Sequence, residues 1–561
     1  MKPLAASEGA RLLGSCIPSA SRMLRREWPL VGIAILALAL RGYQLLDQVP
    51  IDDEWHALVQ ATTHRTGEIL THFGANDVTI PIAAYYRLLV KTIGLTTAGL
   101  RLPFLVFGMA TVVGFPLMVR PLVGRPAANV LAALLAVSPI LVFFSRYARP
   151  YAIALFCALG AVMAFRAWWF RGGRRFAAAY VALGALACWL LVIVAPFVLG
   201  SFLVFGIAGL RVPGRRLAGL KRLALLGSAT LAVLAVLLGP PLAVDASTLL
   251  LHTHGADIRL EHLRGAAIFA LGNGVPSLAL GLAAMALLGA VVLVRREPQF
   301  VGHVAVLAAL QVAVFVISRP LLGQHLDVCS RYLLPVLAVI LLFSAVGVLR
   351  VSDVLGRKIH PWVRPVLALA VCGSMLGWSP IPRILVKPNN WASLYLGGTN
   401  AWFDEFYARN VRSVSKFYET LAAKPPGTVP IVEASSNQFT TLNPLPYYQR
   451  IHRQPVLIGM NNGPFGPLTW GQIPYGMPGV RLRTNVFLDD LRTMRDRGAR
   501  YVVFHHDLYR ETREAPSYRM SVDLRPCIDW FWRQAGPPVF EDRNIIVFEL
   551  APHSRFESRG E

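Results

Sequence analysis

The sequence predicts an all-α membrane protein of about eleven transmembrane helices with a C-terminal α/β domain on the outer side. Three observations predict it. Hydrophobic residues make up 55% of the 561 and charged residues 15%, with a mean hydropathy of +0.51, whereas a soluble domain carries about a quarter charged residues. Apolar runs close to the ~20 residues of a bilayer-spanning helix recur from residue 29 to residue 380. Beyond that point the composition turns to that of a soluble chain.

The spans are expected at 29–46, 101–119, 127–144, 151–170, 176–191, 192–210, 219–242, 276–294, 299–317, 331–349 and 363–380. The stretch from 176 to 210 is continuous and is divided near Val194 and Pro196. The formal charge of +24 could suggest nucleic acid, but the basic residues sit in short segments between apolar runs. With the N-terminus inside, every inside loop is basic. The series runs Arg22, Arg25 and Arg26; Arg120 and Arg125; Arg171, Arg174 and Arg175. It continues with Arg211, Arg215, Arg216, Lys221 and Arg222; Arg295 and Arg296; and Arg350, Arg357, Lys358 and Arg364. This is the pattern of a membrane protein whose Lys and Arg stay cytoplasmic, and no nucleic-acid partner is expected. Residues 1–28 read as a cytoplasmic segment leading into an uncleaved anchor, because no small-residue cleavage site follows them.

The outside then receives 47–100, 145–150, 243–275, 318–330 and everything after about 381. Within the first of these, 80–93 mixes apolar residues with Tyr85, Tyr86, Arg87 and Lys91, as in a helix lying at headgroup level. The segment 381–561 reads as a small α/β domain. Strands are expected at 429–432, 455–458 and 501–504. Asn485 is expected to cap a helix carrying Phe487, Leu488, Leu491 and Met494 and closed by Gly498, and 539–548 reads as a terminal hairpin. No GxGxxG or Walker sequence is present, so nothing indicates a nucleotide. The six cysteines are scattered, without a zinc or disulfide framework; a Cys329–Cys527 bridge requires both to face an oxidising compartment.

Chemistry can be sought where polar residues gather on the outer face. Asp52, Asp53 and Glu54, followed by His56, form an acidic turn after the first span; three adjacent carboxylates need solvent, a cation or a hydrogen-bond network. Ser145 to Tyr151 contains Arg146, Tyr147, Arg149 and Tyr151, and Arg331-Tyr332 opens a later span. Snorkelling anchors explain one such arginine. Three arginines facing the acidic turn instead offer guanidinium forks for a phosphate beside a carboxylate able to act as a base. His252, His254 and Asp257, in the large outer loop, could hold a divalent metal, with ordinary surface histidines as the alternative. No other cofactor is indicated.

These pieces, in order, resemble the bacterial members of the dolichyl-phosphate-mannose–protein mannosyltransferase superfamily, which includes the lipid A aminoarabinose transferases and has the GT-C fold. The resemblance runs over residues 28–350 through Asp53-Glu54, Arg101-Leu102-Pro103, Ser138-Pro139, Ser145 to Tyr151, and Arg331 to Pro335. Relatives carry a Lys/His-Pro-Pro-Leu-Tyr-Tyr run in the first outer loop; here Tyr85-Tyr86 remains and the basic residue does not. The resemblance implies an inverting glycosyltransferase of the cytoplasmic membrane, moving a sugar from a polyprenyl-phosphate donor to a lipid, glycan or protein acceptor. It implies Asp53 as base, with Asp52 if the register is off by one, and Glu54 and His56 in support. Arg146, Arg149 and Arg331 would hold the phosphate, oriented by Tyr147, Tyr151 and Tyr332, with Tyr85 and Tyr86 nearby. The competing readings are a polymerase or ligase using a polyprenyl-diphosphate donor, and a transporter without chemistry. A transporter favours ionisable residues and helix breaks at the midplane, whereas here the polar clusters lie at one face.

The topology has a direct check. A reporter active only outside the cytoplasm works when fused after Glu561 or inserted near Ala256, and is silent near Gly173 and Arg215. Activity at Gly173 overturns the arrangement of spans.

Overall fold

The computed structural model describes residues 20–43, 45–47, 54–74, 79–210, 216–253, 255–272, 275–379, 381–382, 414–434, 448, 451–460, 480–481, 485–505 and 525–550. The chain enters as α1 (Ala20–Gly42), and three shorter helices follow, α2 (Glu54–Thr63), α3 (Thr66–Thr71) and α4 (Ile80–Lys91). The helical body continues with α5 (Thr97–Val123), α6 (Arg125–Val137), α7 (Pro139–Phe144), α8 (Tyr151–Arg171), α9 (Arg174–Leu190), α10 (Ala195–Leu210) and α11 (Arg216–Leu251). It closes with α12 (Leu260–Gly272), α13 (Pro276–Val294), α14 (Pro298–Ser318), α15 (Leu326–Tyr332), α16 (Leu334–Lys358) and α17 (Val363–Gly377). Helices are what an apolar solvent demands, since they satisfy their own backbone donors and acceptors.

Among the described residues seven helices are long and apolar enough to cross a membrane: α5, α8, α10 with the turn before it, α11, α13, α14 and α16. The chain is a multi-pass membrane protein. The other four expected spans also fall on helices, but on ones that miss that measure. α6 breaks at Ser138-Pro139, α9 and α17 have 17 and 15 residues, and α1 carries Arg41 near its end. The division before Pro196 is where it was expected, with a 3-10 turn at Val192–Val194 between α9 and α10. The expected outer loop 243–275 is largely helical, because α11 runs on to Leu251 through a non-helical Asp245 and α12 follows. Asp245 accepts a bond from the Phe73 amide at 3.1 Å, tying this extension to the first outer segment.

The tightest helix crossing joins α13 and α16. A Cβ at Gly289 would fall on the Phe343 carbonyl, and one at Gly347 on the Met285 carbonyl. Each glycine thus admits the other helix's backbone, one turn apart, as small residues do in membrane interfaces. Ser344 adds a bond to the Leu282 carbonyl at 3.0 Å.

The C-terminal part is built on a six-stranded sheet. In chain order its strands are β2 (Ile431–Ala434), β3 (Val456–Met460), β5 (Asn485–Phe487), β6 (Tyr501–His505), β7 (Phe540–Glu541) and β8 (Ile545–Glu549); β1 (Leu95–Thr96) and β4 (Val480–Arg481) pair separately. The sheet order is β5-β3-β2-β6-β8-β7, parallel up to β6 and antiparallel beyond it. Both faces of β2 and β6 are buried, which suits their apolar stretches Ile431-Val432 and Val502 to Phe504, and the polar residues they also bury, Glu433 and His505, meet each other at 2.6 Å. Helix α18 (Lys416–Ala422) covers one face with Phe417, Tyr418 and Leu421; α19 (Leu491–Asp496) and α20 (Arg525–Ala535) cover the other with Met494, Cys527 and Phe531. The hairpin lies at the expected place, its turn fixed by the Asp542 carboxylate accepting from the Asn544 and Ile545 amides. The helix expected from Asn485 starts later. Asn485 to Phe487 extends the sheet, and Asp490 caps α19 by accepting from the Thr493 amide at 2.9 Å. Cys329 and Cys527 are both free buried thiols, so they form no bridge.

Gly347→Leu is expected to separate α13 from α16 and to lower both the yield and the thermal midpoint of the purified protein, by a few kcal/mol if the core cannot relax. Gly281→Leu, on the same α13 with open space around it, leaves both unchanged. Equal behaviour of the two variants contradicts the close crossing.

Candidate active site

Several polar residues, some of them singled out above, converge at one end of the helical body. Glu54 opens α2, Arg101 lies in the second turn of α5, Arg41 near the end of α1, and Arg146 in the turn between α7 and α8. All four side chains are fully buried. Arg101 forks onto Glu54, with Nη1 donating to Oε1 at 2.6 Å and Nη2 to Oε2 at 3.1 Å. The Ala148 amide donates to the same Oε1 at 2.7 Å, and Arg101 Nη1 also donates to the Arg146 carbonyl. Arg146 Nη1 in turn donates to the Arg41 carbonyl. The turn 145–149 is therefore held from α1, α2 and α5 at once.

Among the described residues, buried arginines outnumber buried carboxylates here. Burial first, and then the Arg101 charge, push the Arg146 guanidinium down to about 8, with Glu54 pulling the other way. The buried Tyr86 phenol, raised by burial and then by Glu54, is drawn back by Arg101 and Arg149, which places Arg149 in the same field.

Arg331 comes in from α15. Its guanidinium lies 5.5 Å from the Tyr151 ring centre and 5.3 Å from that of Tyr332, within cation–π range. Tyr151 follows Arg149 by two residues, so the two arginine segments meet across Tyr151 and Tyr332, whose rings are 6.4 Å apart. Tyr147 packs beneath this junction against Phe143, at 4.9 Å. Gln311, buried in α14, holds the turn by donating to the carbonyls of Tyr332 and Ile193 at 3.1 and 2.9 Å. His325, at the start of α15, is pushed down by burial, and Asp327, His262 and Arg331 also act on it.

Other expected residues range from the edge of this cluster outwards. Tyr85 and Tyr86 donate to the carbonyls of Gly99 and Leu100, at 3.0 and 3.1 Å, and so clamp α4 onto the start of α5. His56 lies half-buried in the first turn of α2. Asp52, Asp53 and His254 lie outside the described residues. His252 Nδ1 lies 2.7 Å from the Thr248 carbonyl, and Asp257 pairs with Arg319 at 2.7 Å on the surface. Among the described residues no group of three or more His, Cys, Asp or Glu side chains is placed to hold a metal. Sequence reading missed Arg41, Gln311 and Asp327, and gave Arg101 no role. An arginine or glutamine inside an apolar run was the available signal.

No family model and no curated protein matches the chain. Several solved structures share its chain path. ArnT from Cupriavidus metallidurans in the apo state gives a TM-score of 0.48 at 16% identity, over 94% of this chain and 98% of that one. The same protein bound to undecaprenyl phosphate gives 0.45 at 14%, over 94% and 99%. The oligosaccharyltransferase of Archaeoglobus fulgidus in complex with zinc and sulfate gives 0.42 at 16%, over 89% and 70%. These proteins are GT-C glycosyltransferases. At such TM-scores the likeness is one of path only, and the chemistry of the site rests on its own residues.

The Glu54–Arg101 pair makes a measurable claim. Removing one partner strands a buried charge, at a cost of about 3–5 kcal/mol. Glu54→Leu and Arg101→Leu should each lower the thermal midpoint strongly, while the double variant recovers at least half of the summed loss. Full additivity of the two losses contradicts direct coupling.

Proposed function

We propose that the protein is a membrane glycosyltransferase that takes its sugar from a polyprenyl-phosphate donor at the outer face of a cytoplasmic membrane. The observation that carries this reading is the buried cluster of guanidinium groups around Glu54, the residue that follows Asp53 in the sequence. Such a cluster suits a phosphate at the membrane edge, and a carboxylate adjoining it suits a base. In the proposed reaction an acceptor hydroxyl attacks the anomeric carbon, and Asp53 takes its proton. The anomeric carbon–oxygen bond to the phosphate breaks, and the electron pair leaves with polyprenyl phosphate, inverting the centre.

Glu54 is engaged by Arg101 and the Ala148 amide, so we assign it to holding the turn and leave the proton transfer to its sequence neighbour Asp53. Arg149 and Arg331 are assigned to the departing phosphate, where preorganised charge has most effect in a water-poor site. Tyr151 and Tyr332 orient them. Arg146, bound to the Arg41 carbonyl, contributes its charge from below. The segment 381–561 is assigned to acceptor access, and the division 1–28, 29–380 and 381–561 is retained as the domain plan.

The test uses purified protein in liposomes with a polyprenyl-phosphate sugar and an envelope extract as the acceptor source. Release of polyprenyl phosphate is expected, and a nucleotide sugar alone gives no product. Asp53→Asn loses about two to four orders of magnitude in rate. Arg149→Ala and Arg331→Ala weaken donor use, with Lys restoring only part because it lacks the planar fork. Near-normal turnover of both Asp53→Asn and Asp52→Asn contradicts the mechanism. Release of polyprenyl diphosphate favours a polymerase or ligase, and leaflet exchange with the sugar bond intact favours a transporter.

A further inference from the structure

We infer that Arg41 is a positioning residue: from inside α1 it closes the helix break at Pro139 and thereby sets the turn that carries Arg146 and Arg149. The inference deepens the proposed function and rests on it for the identity of the ligand, though not for the placement of the turn.

A guanidinium buried in a membrane helix is costly, and its bonds show what it holds. Arg41 Nη2 donates to the Leu135 carbonyl and Nη1 to the Ala136 carbonyl, both at 2.9 Å. Those two carbonyls are the ones the break disturbs. In an unbroken helix Leu135 would accept from residue 139, but Pro139 has no N–H to give. Ala136 would accept from Ile140, which already belongs to α7. The arginine therefore supplies from another helix the donors that the break removes. Its Nη1 also reaches the Ala37 carbonyl at 3.4 Å, within α1 itself.

The third arm points to the turn. Arg41 Nε donates to Ser145 Oγ at 3.1 Å, and Ser145 Oγ donates to the Leu141 carbonyl at 2.6 Å. Ser145 fits there because α5 presents Gly108, where any Cβ would overlap its hydroxyl. The Arg41 backbone carbonyl then accepts from Arg146 Nη1. All of these acceptors are neutral, so the charge of Arg41 adds to the cationic field of the site. A well-packed apolar residue would serve stability alone at least as well. The arginine contributes a fixed distance between the break, Ser145 and Arg146.

The experiment compares wild type with Arg41→Lys, Arg41→Met and Ser145→Ala. Hydrogen exchange of the 145–149 amides reads the placement of the turn without any ligand, and polyprenyl phosphate itself is the binding probe. Should Arg41→Met fold poorly, Ser145→Ala removes only one arm, and Pro139→Ala added to Arg41→Met returns a backbone donor to Leu135. Faster exchange at 145–149 is expected in every folded Arg41 variant. Polyprenyl-phosphate affinity falls about tenfold or more in Arg41→Met and less in Arg41→Lys, while Ser145→Ala keeps the wild-type thermal midpoint. Unchanged exchange and affinity in a folded Arg41→Met protein overturn the inference. A wild type that binds no polyprenyl phosphate overturns the functional reading instead, and the exchange result still decides the role of Arg41.

Discussion

The ion pair between Glu54 and Arg101 is the constraint on which the rest of the site depends. It joins the start of α2 to the second turn of α5, and through the Ala148 amide and the Arg146 carbonyl it also grips the turn before α8. Two charges cannot be buried at the edge of a bilayer unless each finds the other and further bonds satisfy the remaining groups. Glu54 meets that condition with a forked guanidinium and a backbone amide. The geometry this requires leaves little freedom to the 145–149 turn. Preorganisation of that kind lets fixed dipoles and charges act on a reacting group without reorganising.

The membrane explains why the cluster is at the end of the bundle. Inside the apolar layer the helices approach through small residues such as Gly289 and Gly347, and polar groups are confined to bonds that settle a local backbone problem. Ser344 on Leu282 and Gln311 on Ile193 and Tyr332 are of this kind. His303, buried in α14, instead meets another side chain, Ser201 Oγ, at 3.0 Å. The arginines instead gather where helices end and carbonyls are left without partners. Broken helices near a polar site are tolerated in membranes when side chains replace the lost backbone bonds, and Arg41 at Pro139 is an instance.

Much of this was legible in the sequence, for physical reasons that can be named. The apolar runs and the change of composition beyond them follow from solvent preference, which is a property of segments. Arg149, Arg331 and Tyr151 could be picked out because these arginines stand apart from the series of basic loops, and the structure brings Arg331 onto Tyr151. Arg101 and Glu54 are 47 positions apart, and Arg41 and Ser145 are 104 apart. Nothing local announces such pairs. Arg101 reads only as the opening of the Arg101-Leu102-Pro103 stretch, and Glu54 as a supporting neighbour of Asp53. The misplaced cap at Asn485 has a different cause. Asn485, Asp489 and Asp490 all qualify by residue type, and the pairing of Asn485 with Ile458 in the sheet decides against the first.

The small two-stranded pairing links the C-terminal region to the start of α5. β1 pairs with β4 through Leu95 opposite Val480 and Thr96 opposite Arg481. Thr96 is also the N-cap of α5, its hydroxyl accepting from the Gly99 amide at 3.1 Å. The next residues along, Gly99 and Leu100, take the hydroxyls of Tyr85 and Tyr86, and Arg101 follows. A strand from the C-terminal region is therefore bonded to the segment that starts the helix carrying Arg101. A shift of β4 would be felt first at that cap and then at the start of α5, because Thr96 both pairs with Arg481 and caps the helix. The coupling has a short physical path, the six residues from Leu95 to Leu100. That path ties the C-terminal region to the start of the helix whose Arg101 forks onto Glu54.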